Sequence, residues 1–246
     1  MKLILLRHGQ SEWNLENRFT GWKDVGLTPT GEKEAAFAGH QLVNNNIQIK
    51  SVYTSLLKRA IETTNIVIKI IGFLQGDVQN DWRLNERHYG ALQGLNKSET
   101  ASKYGEDQVH IWRRSYDIPP PLLSNDDPRH PRFNKKFHFI KGDLPVGESL
   151  SDVIDRLQPF WKDYLLGVQK SEDNHLIVAH SNSLRAIVKT LDKLSKDEIM
   201  SVNIPTGVPL VYTLDKNLDV LGKEYLIGEE ELKIRQEIVA NQGKVK

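Results

Sequence analysis

Two short apolar runs in this chain each end at a histidine. Leu3 to Leu6 is uninterrupted and stops at Arg7-His8-Gly9, and His175 to Ala179 stops at His180-Ser181-Asn182. Runs this short, bounded by polar residues, read as strands buried on both faces, the situation of a parallel sheet covered on two sides. Each would deliver a histidine to the loop at a strand's carboxyl end. Thr28-Pro29 predicts a helix cap followed by a first-turn proline, after which Ala35, Gly39, Leu42 and Val43 recur at helical spacing. Val153, Leu157, Phe160, Trp161 and Tyr164 form a second helical stripe, and Ser51 to Thr54, Trp82 to Leu84 and Leu210 to Leu214 are further strand candidates. Strands alternating with helices predict the α/β class, with a mainly parallel sheet flanked by helices on both faces.

The stretch from Leu95 to Glu148 breaks this rhythm. It holds six of the ten prolines and shows little periodicity after Tyr116, which predicts an inserted, lid-like segment packed over the sheet. From Glu229 a weak helical pattern runs to Asn241-Gln242, and Gly243-Lys244-Val245-Lys246 then has no element to join, so residues 229–246 read as a mobile C-terminal tail. A length of 246 residues suits one α/β core, so residues 1–246 are expected to form a single domain with residues 95–148 inserted over its active site. Hydrophobic residues at 39% and charged residues at 26% exclude a disordered chain. Lys and Arg total 33 against 32 Asp and Glu, a formal charge of +1, which excludes a global field for nucleic acid or an anionic membrane. Any anion site must be local. The absence of cysteine excludes disulfides, thiolate metal sites and cysteine nucleophiles. Leu3 to Leu6 is too short for a signal peptide and Ile66 to Leu74 is broken by Lys69 and Gly72, so the expected compartment is the cytoplasm.

Ligands of open parallel sheets bind at the carboxyl ends of the strands. This reading places Arg7-His8, Arg59 just after Tyr53-Thr54, Glu86 just after Leu84, and His180 at that edge. A neutral imidazole is a good nucleophile near neutral pH, and two guanidinium groups can neutralise charge spread over phosphoryl oxygens. Glu86 could supply the proton that the leaving oxygen needs, and a protonated His180 would add to the positive charge. Alone, each residue has an ordinary reading: a structural histidine, a surface arginine, a solvated carboxylate. Arg113-Arg114 could be a solvated helix face, and Gly9 and Gly21 plain turn residues, although turn amides often cradle phosphate. Together the set points to phosphoryl transfer through an enzyme nucleophile, His8.

The run Arg7-His8-Gly9-Gln10-Ser11-Glu12-Trp13-Asn14 resembles the signature of the histidine phosphatase superfamily. Its continuation Phe19-Thr20-Gly21-Trp22 narrows the resemblance to cofactor-dependent phosphoglycerate mutases. Tyr53-Thr54-Ser55 with Arg59-Ala60, the run Leu84 to Gly90, Gly94-Leu95-Asn96-Lys97, Trp112-Arg113-Arg114 and Ile204 to Pro209 look like the same family, and the likeness is weakest from Leu122 to Leu144. The resemblance implies a mixed, mostly parallel sheet, interconversion of 3-phosphoglycerate and 2-phosphoglycerate, and 2,3-bisphosphoglycerate as the phosphoryl donor that primes His8. It implies no metal, and a homodimer as the common assembly. The family's catalytic positions fall on His8, Glu86, His180, Arg7 and Arg59. Its binding positions fall on Arg7, His8, Gly9, Gln10, Ser11, Glu12, Trp13, Asn14, Thr20, Gly21, Arg59, Glu86, Arg87, His88, Tyr89, Lys97, Arg113, Arg114, Ser181 and Asn182. Where the family usually has glycine this chain has Ser181, whose Cβ narrows the allowed backbone and crowds a phosphate.

Three other readings compete. A phosphatase of the same superfamily would share His8, Arg7, Arg59 and His180 but release the phosphoryl group to water; a mutase must instead retain a bisphosphorylated ligand, for which Lys97, Arg113, Arg114 and the insertion supply cations and a cover. A phosphopeptide-binding module would use the arginines while His8 never reacts. A metallohydrolase would need HExxH-like spacing or paired aspartates beside the histidines, and the sequence has neither. Deleting Gly243 to Lys246 is expected to leave the fold and His8 phosphorylation intact, lower mutase turnover, and raise the ratio of phosphatase to mutase activity. Parallel assays of both activities check this, and an unchanged ratio would assign water exclusion to the insertion alone.

Overall fold

Side chains of β1 (Lys2–Arg7) alternate between two cores, Leu3 and Leu5 facing one and Ile4 and Leu6 the other, all fully buried. A strand apolar on both faces needs helices on both, and the chain supplies them. The computed structural model describes residues 1–168 and 173–242. After β1 come α1 (Glu12–Leu15), α2 (Pro29–Asn44), β2 (Ser51–Thr54), α3 (Lys58–Ile71) and β3 (Val78–Asn80). Residues 95–148 contribute α4 (Lys97–Tyr104) and α5 (Glu106–Arg114), followed by α6 (Leu150–Val168), β4 (His175–Ala179) and α7 (Ser181–Leu191). The chain continues with α8 (Glu198–Ser201), β5 (Pro209–Leu214), β6 (Val220–Tyr225) and α9 (Glu229–Ala240). Of residues 229–246, expected above to be a mobile tail, Glu229–Ala240 form α9 with Val239 buried, and Gly243 to Lys246 lie outside the described residues.

The strands form one sheet in the order β3-β2-β4-β1-β5-β6. The ladders β1–β4, β2–β4 and β2–β3 are parallel, and β1–β5 and β5–β6 are antiparallel, so the sheet is mixed and mostly parallel. One core packs Val153, Leu157, Phe160 and Tyr164 of α6 with Leu184, Ile187 and Val188 of α7 on one face. Ala38 and Leu42 of α2 with Val67 and Ile68 of α3 cover the other.

Local chemistry sets the element boundaries. Thr28 Oγ1 accepts from Gly31 N at 3.1 Å, with Pro29 in the first turn, so α2 begins where the cap signal predicts. Its start lies against the loop after β1: a Cβ on Gly9 would sit 2.1 Å from Gly31 O, so only glycine permits this approach. Val43, placed on the buried stripe of α2 by spacing, is 49% exposed, because one residue beyond Leu42 turns about 100° away from the core. Trp82–Leu84 is a 3₁₀ turn rather than a strand. Asp81 Oδ1 accepts from Arg83 N at 2.8 Å, which offers the backbone a local partner in place of a ladder. Val78–Asn80 pairs with β2 instead, and neither it nor the exposed β6 carries an apolar alternation that marks a strand.

The turn bearing Glu86 is held from below by Arg156 of α6. Its guanidinium donates to the carbonyls of Arg83 at 2.7 Å, Asn85 at 3.2 Å and Glu86 at 3.3 Å, and pairs with Glu148 at 2.7 Å. Both side chains are nearly fully buried, and Glu148 Oε2 also accepts from His88 N at 2.7 Å. Removing one partner of such a pair strands a buried charge. Arg156→Met is therefore expected to lose about 3–5 kcal/mol of stability, read from urea unfolding midpoints. A loss within about 0.5 kcal/mol would reduce the pair to a surface-like contact.

Candidate active site

The β1–β4 register sets Arg7 opposite Ala179, so His8 and His180 leave the sheet side by side. His8 N donates to Ala179 O at 3.0 Å, and the two imidazole rings meet edge to face with centroids 5.0 Å apart. His8 Nδ1 lies 2.7 Å from Gly9 O. A carbonyl can only accept, so Nδ1 carries the ring proton and Nε2 keeps its lone pair. Arg59 Nε donates to that Nε2 at 3.2 Å.

Arg59, in the first turn of α3, is itself clamped. Its Nη1 donates to Lys23 O and its Nη2 to Gly21 O, both at 3.0 Å. Gly21 has φ +55°, the left-handed conformation that presents this carbonyl. Arg7 donates through Nη1 to Ile204 O at 2.8 Å, while its buried Nε has no partner among the described residues. His180 Nε2 lies 2.7 Å from Ser55 Oγ, which also accepts from Leu57 N at 3.1 Å.

Glu86 reaches the same space from the turn braced by Arg156. Its Oε1 receives three donors: Arg87 N at 2.8 Å, Asn182 N at 3.1 Å and Asn182 Nδ2 at 3.0 Å. The insertion brings Lys97, first residue of α4, and Arg113 and Arg114, last residues of α5. Asn96 caps α4 by accepting from Ser98 N and Glu99 N, which fixes where Lys97 starts. Lys97 Nζ donates to Gln242 Oε1 at 3.2 Å, so the end of the α9 segment closes one side.

Most of these side chains line one cavity, while His180 and Ser55 stand behind His8 and outside the lining. Arg7, Arg18, Arg59, Lys97, Arg113, Arg114 and Arg185 supply seven cationic side chains to it, against the carboxylate of Glu86. Burial first, then Arg59 and Arg7, hold His8 well below its ordinary pKa against the opposing pull of the Gly9 carbonyl. His180 is lowered in the same way by burial, Arg59, His8 and Arg7. Lys97 is pushed well down by burial and the neighbouring arginines, and burial with Arg114 brings Arg113 to about 10. The cavity thus holds excess positive charge around the neutral imidazole of His8, with buried His180 behind it, an environment that favours a ligand bearing several negative charges.

Of the residues singled out by sequence, Arg7, His8, Asn14, Thr20, Arg59, Glu86, Tyr89, Lys97, Arg113, Arg114, Ser181 and Asn182 line the cavity. Others stand behind it. Gly9 N donates to Thr63 Oγ1 and Gln10 N to Glu34 Oε2, so neither amide faces a ligand. Ser11 caps α1, Glu12 is exposed in its first turn, and Trp13 packs beside Gly94. Arg87 donates to Arg113 O at 2.8 Å and lies over the Tyr89 ring. His88 accepts through Nδ1 from Gly90 N at 3.1 Å, with its ring 6.0 Å from Trp22. Ser181 is the first residue of α7 and lies outside the left-handed region, so its Cβ brings no backbone strain. Arg18, Arg185 and Val239, which also line the cavity, were not singled out, and Gln242, which lines it, and Ser55, which stands behind it on His180, were given no role. Arg185 stands three residues after Asn182 on α7, a helical spacing that signals a shared face; Gln242 carries no local signal at all.

Among the described residues, no three His, Cys, Asp or Glu side chains gather as a metal-holding group, and no helix is long and apolar enough to cross a membrane. Residues 3–217 match the sequence profile of the histidine phosphatase superfamily, branch 1. The chain belongs to that superfamily. Within it, the sequence is 52% identical over 243 residues to a 2,3-bisphosphoglycerate-dependent phosphoglycerate mutase of Hydrogenobaculum sp., covering 98% of each chain. It is 52% identical over 246 residues to the protein of the same name from Lachnoclostridium phytofermentans, covering 100% of this chain and 99% of that one. Among solved structures, a mycobacterial glucosyl-3-phosphoglycerate phosphatase complexed with VO3 shares the fold with a TM-score of 0.70 at 21% identity, over 92% of this chain and 98% of that one. Bacillus stearothermophilus YhfR does so with a TM-score of 0.67 at 22% identity, over 100% and 98%.

The buried histidines make stability depend on pH. Burial, with His130 and Arg156, lowers His88 to about 3, and His8 and His180 are lowered too. An unfolded histidine titrates at about 6.5, so between the folded and unfolded values the unfolded chain binds more protons and stability rises with pH. The histidines' contribution to stability is therefore complete above about pH 6.5 and is lost as pH falls below it. His88→Gln, whose Oε1 can replace the acceptor for Gly90 N, is expected to flatten this loss between pH 7 and pH 5 in urea titrations. An unchanged slope would mean that His88 is not buried neutral.

Proposed function

We propose that this chain interconverts 3-phosphoglycerate and 2-phosphoglycerate by passing a phosphoryl group through His8, with 2,3-bisphosphoglycerate as the priming donor. The observation that carries the reading is the unprotonated Nε2 of His8, which accepts from Arg59 in a cavity whose cations outnumber its carboxylates. Full-length likeness to proteins named as such mutases supports it. The buried Nε of Arg7, which has no partner among the described residues, fits a polyanionic donor.

In this reading His8 Nε2 attacks phosphorus as the bond to the leaving oxygen breaks. Arg7 and Arg59 neutralise charge on the equatorial oxygens and keep their own charge throughout. The leaving oxygen takes a proton from Glu86. Three donors occupy Oε1, so Oε2 is the oxygen that carries it. Transfer onto the other hydroxyl runs the same steps backwards, with Glu86 taking the proton. Burial, Arg59, His8 and Arg7 disfavour the charged form of His180, and a phosphoryl dianion near it would favour that form.

Lys97, Arg113 and Arg114 would hold the charged end of the ligand that does not react, and the insertion carrying them would act as a cover. That retention separates this reading from the phosphatase one, which the superfamily fold equally supports. The reading extends to one domain over residues 1–246, a homodimer and a cytoplasmic site of action.

The test is to follow 3-phosphoglycerate conversion with and without 2,3-bisphosphoglycerate, and again with chelator. Donor-dependent, chelator-resistant turnover is expected; release of inorganic phosphate in place of 2-phosphoglycerate would favour the phosphatase. His8→Ala is expected to abolish turnover and acid-labile labelling of the protein together, since the chain has no cysteine to substitute. Glu86→Gln is expected to slow transfer to and from phosphoglycerate by about 10²–10⁴-fold while an activated aryl phosphate still labels His8. Equal loss with both donors would make Glu86 a binding residue.

A further inference from the structure

Arg185 has no role in the reaction as described, yet it is 1% exposed, on α7, and lines the cavity. Its Nη1 donates to Asn182 Oδ1 at 2.9 Å and its Nη2 to Ile199 O at 2.6 Å, while Nε has no partner among the described residues. An asparagine amide can be turned either way around. A guanidinium has no acceptor, so Asn182 must present Oδ1 to it, and Nδ2 is then compelled to face Glu86 Oε1 at 3.0 Å and Tyr89 Oη at 3.3 Å. With Asn182 N and Arg87 N, this places three N–H donors on one carboxylate oxygen.

We infer that Arg185 is a positioning residue for proton transfer: by fixing the orientation of the Asn182 amide it keeps Glu86 Oε1 filled with donors and confines the exchangeable proton to Oε2. The inference rests on Glu86 being the proton donor in the proposed function. The physical reason is exclusion. A hydroxyl hydrogen on Oε1 would point at N–H hydrogens, whereas Oε2 carries it without conflict. If Arg185 is lost, the Asn182 amide can turn, Oδ1 can accept a proton from Oε1, and the proton is shared between the wrong and the right oxygen. Burial first, then Arg114 and Arg87, bring the Arg185 guanidinium down to about 9, so it remains charged near neutrality.

The experiment compares Arg185→Met, Arg185→Lys, Asn182→Ala and the Arg185→Met/Asn182→Ala double variant, assayed with 3-phosphoglycerate under saturating 2,3-bisphosphoglycerate. Arg185→Met is expected to lower kcat about 10- to 100-fold with KM changed less than about 3-fold, and to leave His8 labelling by an activated aryl phosphate intact. It should also displace the limb of the pH–rate profile that Glu86→Gln abolishes. Because the arginine acts through Asn182, its removal in the Asn182→Ala background should cost less than about 2-fold. Arg185→Lys, which can still donate to Oδ1, should recover most of the rate.

A rise in KM with kcat unchanged would show Arg185 binding substrate directly, and multiplicative losses in the double variant would show independent roles; either overturns the inference. If Arg185→Met does not fold, as judged by near-ultraviolet circular dichroism, the same cycle with Arg185→Gln, whose amide can accept as well as donate and so leaves the Asn182 amide free to turn, gives the coupling. Should Glu86→Gln itself prove harmless, the proposed function loses its acid. A selective Glu86→Gln defect without Arg185–Asn182 coupling would sink this inference alone.

Discussion

Everything in the site depends on the parallel pairing of β1 with β4. That ladder sets Arg7 opposite Ala179, and one residue further each strand gives up a histidine to the same space. Residues far apart in sequence become neighbours because the ladder tolerates no slip: a shift by one residue would turn Leu3 to Leu6 inside out between the two cores. β2, on the other side of β4, ends at Thr54 and supplies Ser55 to His180 and Arg59 to His8. The carboxyl edge of three adjacent strands thus places nucleophile, second imidazole and first cation without any loop having to find its own conformation.

The second constraint is electrostatic. Arg7, Arg59, Lys97, Arg113, Arg114 and Arg185 crowd one cavity; burial lowers all of them, repulsion from neighbouring cations lowers all but Arg7 further, and Arg59 and Arg7 help burial lower the two histidines. Carbonyl oxygens hold them in place: Gly21 and Lys23 for Arg59, Ile204 for Arg7, Val202 for Arg114, Ile199 for Arg185. Carbonyls orient guanidinium groups without neutralising them, so the charge stays available for a ligand. Carboxylates in those places would satisfy the arginines and close the site to anions. Glu86 shows the complementary arrangement, an acid whose Oε1 is filled with donors while its backbone is anchored through Arg156 to α6.

Some of this could be read from the chain alone. The α/β class, the carboxyl ends of β1, β2 and β4, and the meeting of Arg7, His8, Arg59 and His180 follow from apolar runs and what comes after them, because burial on two faces leaves few alternatives to a strand; Glu86 joins them from just after a 3₁₀ turn and not from the strand end where its sequence placed it. The resemblance added the insertion's cations, which periodicity does not mark. Trp82–Leu84 misled because its apolar ends resemble a strand while Asp81 captures the backbone locally. β3 and β6 were invisible because edge strands take their hydrogen bonds from a neighbour and need no apolar pattern.

Direction and contact belong to the tertiary structure. Residues adjacent in sequence part ways: His8 faces the cavity while Gly9 turns its amide to Thr63, and Tyr89 enters while His88 packs toward Trp22. Arg185 and Gln242 reach the site only because α7 and the end of α9 are laid across it. The sequence by itself determined which residue types stand at the strand ends, since backbone hydrogen bonding and burial are encoded locally. Which amides, carbonyls and carboxylate oxygens meet was decided only by packing, because a hydrogen bond between groups a hundred residues apart exists only once both are held within about 3 Å.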